Sequence, residues 1–380
     1  MGDAAVLDAA QAALARAFAG PVRLGPPTVL KSWQRNDVWR CRVADGPLML
    51  GPSVIVKHFK TEPERGLDDW ASLAFLTGLA IDPPVAPGLL AGDRTARVFV
   101  MEDLGPGRTL GDVLLAGNDA LAVEALVGLA EQTARVHAVT LQRRDGFDRL
   151  RDALAPRAST PIARAAAETR RCGVELGAWL TAAGIAAPTA LAGAIEALAQ
   201  LVEQPGPFAA FTHGDMAPGN NHIVGARITL LDFEYGGLRH ALYDTLLWTL
   251  FCPFPSDVIE RADKAYRAEL GRRCAAARDD HVYDAARSAV AAWRTANLLQ
   301  WLPPSLLDAD RQWAPGMSAR QAILYHLERF EIVGRAEPKL TALVETFSRL
   351  RDALRRRWAA ETETMLVWPA FSAREVPPAQ

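Results

Sequence analysis

Cysteine is scarce in this chain: Cys41, Cys172, Cys252 and Cys274 lie far apart, with no CxxC pair. Such spacing argues against a disulfide frame or a cysteine zinc site, and for free thiols in a reducing compartment. Net charge is also nearly absent. A formal value of −2 gives no electrostatic footprint for nucleic acid. No run is long and apolar enough to span a bilayer. The first residues, "MGDAAVLDAAQAALARAFAG", put acids where a signal peptide needs early basic residues. The Met-Gly start has Val6 where a myristoylation signal requires Ser or Thr. Apolar residues recur there at helical spacing, which predicts an amphipathic helix ending near Gly20. The expectation is a cytoplasmic protein with neither nucleic acid nor membrane as partner. None of these features encodes an oligomeric state.

What is present is an ordinary globular composition, half hydrophobic and 23% charged, over 380 residues. That length exceeds the usual limit for one core, so two lobes are expected. The texture changes abruptly along the chain. Residues 21–104 hold short runs rich in Val, Phe and Trp ("PTVL", "DVWRCRVA", "SVIVKHF", "ARVFVMEDL") broken by Gly, Pro and Asp. One helical segment, "EPERGLDDWASLAFLTGL", interrupts them. After "LGPGRTL" the sequence is rich in Ala and Leu with helical periodicity, through "DALAVEALVGLAEQTARVHAVT" and "ALAGAIEALAQLVEQ". Helices are expected again at 256–275, 280–300 and 317–333, and in "LTALVETFSRLRDALRRRWAAETE" before a Pro-rich tail. A strand-like island at 221–234 stands alone in this half. Strands first and helices after predict an α+β fold, with a mainly β lobe at 1–104 and a mainly helical lobe at 105–380.

The chemistry concentrates in "FTHGDMAPGNNHIVGARITLLDFEYGG", residues 211–237. His213-Gly214-Asp215 followed by Asn220 has the spacing H-G-D-x-x-x-x-N. On a loop, that spacing lets a carboxylate face a hydroxyl while an amide oxygen faces a cation. Asp232, at the end of a neighbouring strand, supplies a second hard oxygen. Magnesium suits so sparse a protein ligand set, completed by water and substrate phosphates. The layout matches the needs of phosphoryl transfer: an orienting carboxylate, metal ligands, and a cation on the nucleotide phosphates. Lys57, inside the apolar run "SVIVKHF", is the candidate cation, because burial without a partner would be costly. Asp69 is the favoured carboxylate to orient it, with Asp68, Glu64 and Glu62 as alternatives.

This set resembles the aminoglycoside phosphotransferase/choline kinase family, whose fold is similar to that of protein kinases. The matching residues are Lys57, "VFVMEDL", "HGDMAPGN", "LLDFE" and Asp244 in "ALYDTLLW", and the likeness covers roughly residues 25–250. It implies a bilobal protein kinase-like fold and an ATP- and Mg2+-dependent transfer to a hydroxyl of a small molecule. Asp215 would then be catalytic, and Asn220 with Asp232 would bind metal. Lys57, Asp69, Asn36 and the hinge residues Met101, Glu102 and Asp103 would serve the nucleotide.

Two departures stand out. The segment that covers the nucleotide in such folds, "KSWQRNDVWRCRV", has no glycine, so Ser32, Gln34, Arg35 and Asn36 would contribute side chains in place of backbone N–H groups. Leu238-Arg239-His240-Ala241 replaces the Gly-Asp-Pro that often precedes the late Asp. A catalytically silent nucleotide- or partner-binding scaffold is therefore the alternative to a kinase. A protein kinase is disfavoured because no Ala-Pro-Glu segment follows Asp232. Around the motif, His213 reads as a loop-bracing residue. A zinc role with Asn221 and His222 lacks a third soft ligand. His137 reads as a satisfied core histidine, and Asp244 as a loop-bracing carboxylate. The acceptor should meet residues within 239–330, where Trp248, Trp293, Arg294, Asn297, Trp301 and Trp313 are candidate contacts. Acids there, such as Asp263, Asp280 and Asp284, alternate with Arg261, Arg267 and Arg272. Local neutralisation of that kind suits a neutral or mildly anionic metabolite better than a polycationic aminoglycoside.

Overall fold

In the computed structural model, which describes residues 2–314, 317–358 and 368–372, the strand-like first part forms one five-stranded antiparallel sheet. Its strands are β1 (Arg23–Ser32), β2 (Asn36–Asp45), β3 (Ser53–Phe59), β4 (Leu89–Asp93) and β5 (Val98–Glu102), in the order β1-β2-β3-β5-β4. Alternation decides what each face carries. Trp39 and Cys41, Val54 and Val56, and Val98 and Val100 point one way and close a core with Val6, Ala10 and Leu14 of α1 (Asp3–Ala17). Lys57, between Val56 and His58, belongs to the opposite face. Its register partners are Val38 on β2 and Phe99 on β5.

This sheet, α1, α2 (Pro63–Gly78) and α5 (Arg144–Leu154) belong to one compact unit made of residues 1–110, 144–157 and 213–237. The last segment includes the hairpin β7 (Asn221–Val224) and β8 (Arg227–Leu230), paired from Asn221↔Leu230 to Val224↔Arg227. Within the strand-like part, one strand was not singled out from the sequence: β4, "LLAGD". Its Gly92 weakens any strand signal, and Trp70 of α2 lies 2.2 Å from where a Cβ on Gly92 would sit.

The second unit, residues 111–143, 158–212 and 238–380, is built mainly of helices. These include α3 (Leu110–Leu115), α4 (Asp119–Thr140), α6 (Pro161–Ala182), α7 (Leu191–Glu203), α8 (Ser256–Leu270), α9 (Asp280–Trp301), α10 (Ala319–Val333) and α11 (Thr341–Arg357). Several start as capping chemistry dictates. Asn118 accepts from Leu121 N–H, Asp279 accepts from Val282 N–H, and Ser318 and Gln321 form a capping box. The strand island does not stand alone: β6 (Ala209–Thr212) pairs with β9 (Gly237–His240), and β10 (Gln312–Ala314) with β11 (Met317–Ser318). Residues 359–363 of the last expected helix and the tail beyond 372 lie outside the described residues. Among those described, no helix is long and apolar enough to cross a membrane. His137 is fully buried on α4, with Nδ1 2.7 Å from the Tyr266 hydroxyl and Nε2 3.0 Å from Asp244 Oδ2.

Candidate active site

Helix α2 reaches the sheet because it carries glycine at the point of contact. A Cβ on Gly66 would stand 2.2 Å from Cγ of Phe59 at the end of β3, so any side chain there forces the helix away. One turn later the same face meets Lys57, whose Nζ lies 2.6 Å from Asp69 Oδ2. The neighbouring carboxylates are engaged elsewhere. Asp68 takes the Arg151 guanidinium at 2.5 Å, Glu64 contacts the same guanidinium, and Glu62 pairs with Arg65 at 2.8 Å. Arg151 is fully buried and comes from α5. No feature of the sequence pointed to it.

Lys57 has a second partner, Asp232, at 2.6 Å from Oδ1. Asp232 follows β8 with φ 65°, the left-handed region, which an Asp tolerates at modest cost and which recurs at functional sites. Two contacts hold the turn: Phe233 N–H donates to Asp69 Oδ1 at 2.9 Å, and Lys31 Nζ stands 3.7 Å from Asp232 Oδ2. Asp69 thus joins the lysine and the backbone after Asp232 in one network.

The loop from His213 to Asn220 is braced from within. Asp215 N–H donates to His213 Nδ1, which makes Nε2 the protonated nitrogen, and Nε2–H donates to Leu231 C=O at 2.7 Å. Asn220 Nδ2 donates to the Asp215 carbonyl at 2.9 Å and to Asp215 Oδ2 at 3.2 Å. Leu231 N–H donates to Asn220 C=O, tying the loop to the turn that follows β8 and carries Asp232. Asn221 accepts from Leu110 N–H and donates to Pro218 C=O, so its amide serves the backbone. Among the described residues, no group of three or more His, Cys, Asp or Glu side chains is arranged to hold a metal ion.

The electrostatics follow from burial set against pairing. Burial works against the Lys57 charge, yet attraction to Asp69 and Asp232 outweighs it and holds the ammonium above its ordinary value. Burial likewise opposes the Asp232 charge, but Lys57, with help from Lys31, holds that carboxyl below the usual range. Asp69 is fully enclosed, and burial pushes it up more than Lys57 pulls it down. Glu234 is raised, first by burial and then by Asp232, although Arg35 donates to it at 2.9 Å.

The remaining expected nucleotide residues are placed differently from one another. Asn36 starts β2 and is buried beside Lys57; its Oδ1 has no hydrogen-bond partner among the described residues. Met101 is half-buried on β5, opposite Ile55 and Leu89, while Glu102 is exposed and accepts from Gly88 N–H. The Asp103 carboxylate is taken by a two-pronged Arg40 contact at 2.7 and 2.9 Å, by Ser53 Oγ and by Gly105 N–H.

A five-stranded sheet with a buried lysine, a carboxylate-bearing helix against it and a mainly helical remainder define a protein kinase-like fold. Within that class the chain belongs to the phosphotransferase enzyme family, whose model matches residues 28–277. The structure is similar to that of aminoglycoside phosphotransferase APH(2")-IIa in a ternary complex with streptomycin and ATP (TM-score 0.50, 13% identity, covering 81% of this chain and 94% of that one). It is similar also to ADP-bound APH(2")-Ib (TM-score 0.50, 12% identity, 91% and 99%). Choline kinase from Cryptosporidium parvum aligns over 88% of this chain and 90% of its own, with TM-score 0.44 and 11% identity. No curated protein matches the sequence significantly.

Proposed function

We propose that this protein is an ATP- and magnesium-dependent phosphotransferase that phosphorylates a hydroxyl of a small molecule. One observation carries the reading: Lys57 Nζ lies 2.6 Å from both Asp69 and Asp232, in the same compact unit as the Asp215–Asn220 pair. A buried lysine bridging two carboxylates is costly as a stability device, and its natural use is to present a fixed positive charge to phosphate. The donor set fits magnesium. Asn220 spends its amide nitrogen on Asp215, which leaves its amide oxygen free to serve as a ligand, and the Asp232 carboxylate would supply the second hard oxygen. When bound, the cation would neutralise charge building up on the transferring phosphoryl group. Asp215 is positioned by its own loop to accept the acceptor's proton as the hydroxyl oxygen forms the new P–O bond and the nucleoside diphosphate departs. Asp69 acts through Lys57 and is a positioning residue.

For the acceptor, we infer a neutral or mildly anionic hydroxylated compound. In the helical unit the acids are paired at close range: Asp280 with Arg267 at 2.5 Å, Glu269 with Arg272 at 2.6 Å, and Asp284 and Asp263 with Arg287 at 2.8 and 3.3 Å. The same unit contains a mostly enclosed apolar slot bordered by Ile162, Leu201, Tyr243 and Trp293. Trp293 borders it, whereas Trp248, which is fully buried, and Trp301, which is largely exposed, do not. The test is a screen of hydroxylated metabolites and antibiotics for acceptor-dependent ADP release with magnesium-ATP. Asp215→Asn should reduce turnover of any hit by about 10²–10⁴-fold while keeping nucleotide binding. Efficient turnover of a polycationic aminoglycoside would overturn the acceptor class. Failure of wild-type protein to bind magnesium-ATP would leave the silent-scaffold reading.

A further inference from the structure

From Lys31 at the end of β1, through the turn, to Val43 on β2 there is no glycine, so backbone N–H groups there lack the close approach that a glycine-rich loop offers to phosphates. Its side chains have distinct fates. Ser32 Oγ donates to Asp37 at 2.6 Å, and Lys60 donates to the same carboxylate at 2.9 Å. Arg35 is committed to Glu234. Lys31 differs: its ammonium stands 3.7 Å from Asp232 Oδ2, across the carboxylate from Lys57, and lies 4.9 Å from the centre of the Trp33 ring. Trp33 is 61% exposed, so the ring forms an outer wall against which the lysine rests.

We propose that Lys31 is a phosphate-binding residue of the nucleotide site, supplying from its side chain the positive charge that a glycine-rich loop supplies from its backbone. This rests on the nucleotide reading given above. The charge balance carries it. Lys57 and Lys31 together offset Asp69 and Asp232, so the four groups sum to zero. Without Lys31 the cluster is net negative and faces a magnesium-nucleotide that is itself an anion, which disfavours binding. A divalent cation held by Asp232 would compete with both ammonium groups for that carboxylate. Lys31, half-exposed and on a long flexible stem, is the one able to swing from that carboxylate to a phosphate oxygen. Lys57 is enclosed and stays on Asp69.

Equilibrium binding of adenosine, magnesium-ADP and magnesium-ATP to wild-type protein, Lys31→Ala, Lys31→Arg and Trp33→Leu tests this. Lys31→Ala should weaken magnesium-ATP about tenfold, the effect of one charge-assisted contact, and leave adenosine unchanged. Lys31→Arg should recover most of the loss, and Trp33→Leu should show a smaller loss of the same pattern. Equal magnesium-ATP affinity in wild type and Lys31→Ala overturns the assignment of Lys31 alone. So does a loss that is as large for adenosine as for ATP, because that reports loop packing and not phosphate. If wild type binds adenosine no more weakly than magnesium-ATP, or binds neither, the nucleotide reading falls and this assignment with it.

Discussion

The two units show different ways of burying ionisable groups, and each holds an exception: burial pulls His58 of the first unit down, and Arg320 of the second stays buried against the Leu306 and Leu307 carbonyls. In the unit that carries the sheet, Lys57 is 5% exposed and remains charged because two carboxylates hold it. Arg151 is likewise enclosed and paired with Asp68 and Glu64. In the helical unit, burial pulls His240 down to about 3 and His326 down to about 4, so both rings are neutral. Burial also pushes Tyr266 and Tyr283 well above the ordinary phenol range. Neutralising a group is the cheap way to bury it, and keeping it charged requires partners with good geometry. The first unit therefore keeps charge inside at a thermodynamic cost, part of which falls on Lys57, Asp69 and Asp232 of the candidate site and part on Arg151 with its carboxylates. At the candidate site, charge is retained by pairing Lys57 with Asp69 and Asp232.

The strongest way to break this contrast is to remove the cation. Lys57→Met leaves Asp69 and Asp232 facing each other in a buried site. The expected loss is about 3–5 kcal/mol of unfolding free energy, with nucleotide binding abolished. Chemical denaturation measures the first quantity and a magnesium-ATP titration the second. The triple variant Lys57→Met, Asp69→Leu, Asp232→Asn sharpens the point. It should regain most of the stability and none of the binding, because an apolar replacement removes the desolvation cost along with the function. If Lys57→Met alone is as stable as wild type, the ion triad is not under the electrostatic tension described.

What could be read from the sequence follows the range of the interactions involved. The strand around Lys57 and the loop from His213 to Asn220 are local patterns, with alternation, turn residues and fixed spacing on a short stretch. They were legible for that reason. Asp69 was one of four carboxylates at the start of α2 and just before it, and nothing local separates them. The partner of Asp68 and Glu64 is Arg151, more than eighty residues away, and only the folded chain decides it. The strands β4, β6 and β9 were unread because they are short, carry glycine or sit among helical texture, and their pairing is long-range. Lys31 was passed over for a related reason. It precedes the turn it serves, and its contact with Asp232 spans two hundred residues.

A second prediction compares glycines in the two units. Gly66→Ala drives a Cβ to within 2.2 Å of the Phe59 ring and should push α2 off β3, costing about 1–3 kcal/mol. Because Asp69 rides on that helix, magnesium-ATP affinity should fall as well. Phe59→Leu in the same chain should relieve part of both losses. In the helical unit, a Cβ on Gly173 of α6 meets Ile195 at an ordinary 3.5 Å. There the alanine should be neutral or stabilising by about 0.5–1 kcal/mol, since a mid-helix glycine carries extra chain entropy. Urea midpoints for both variants decide it. A harmless Gly66→Ala would mean that α2 is not held by close approach at this point.

The smallest expected effect concerns the neutral side of the contrast. His326 Nδ1–H donates to Ala322 C=O at 2.7 Å, and its Nε2 is buried with no hydrogen-bond partner among the described residues. Protonation would create a buried N–H without an acceptor, near Arg294. The folded value near 4 lies below the roughly 6.5 of an unfolded histidine, so between those limits the unfolded chain binds more protons. Stability from this residue is therefore complete above about pH 6.5 and is lost as pH falls towards 4, with about 2 kcal/mol gone by pH 5. Replacing the ring with a non-titrating amide, His326→Gln, removes that slope. Measured by denaturant titration at pH 7 and pH 5, the variant should lose about 2 kcal/mol less than wild type between the two conditions. Lys57 and Asp232 do not blur the comparison, because Lys57 is raised and Asp232 lowered, and both keep their charge across this window. If wild type and variant lose the same amount, His326 is not buried as a neutral ring.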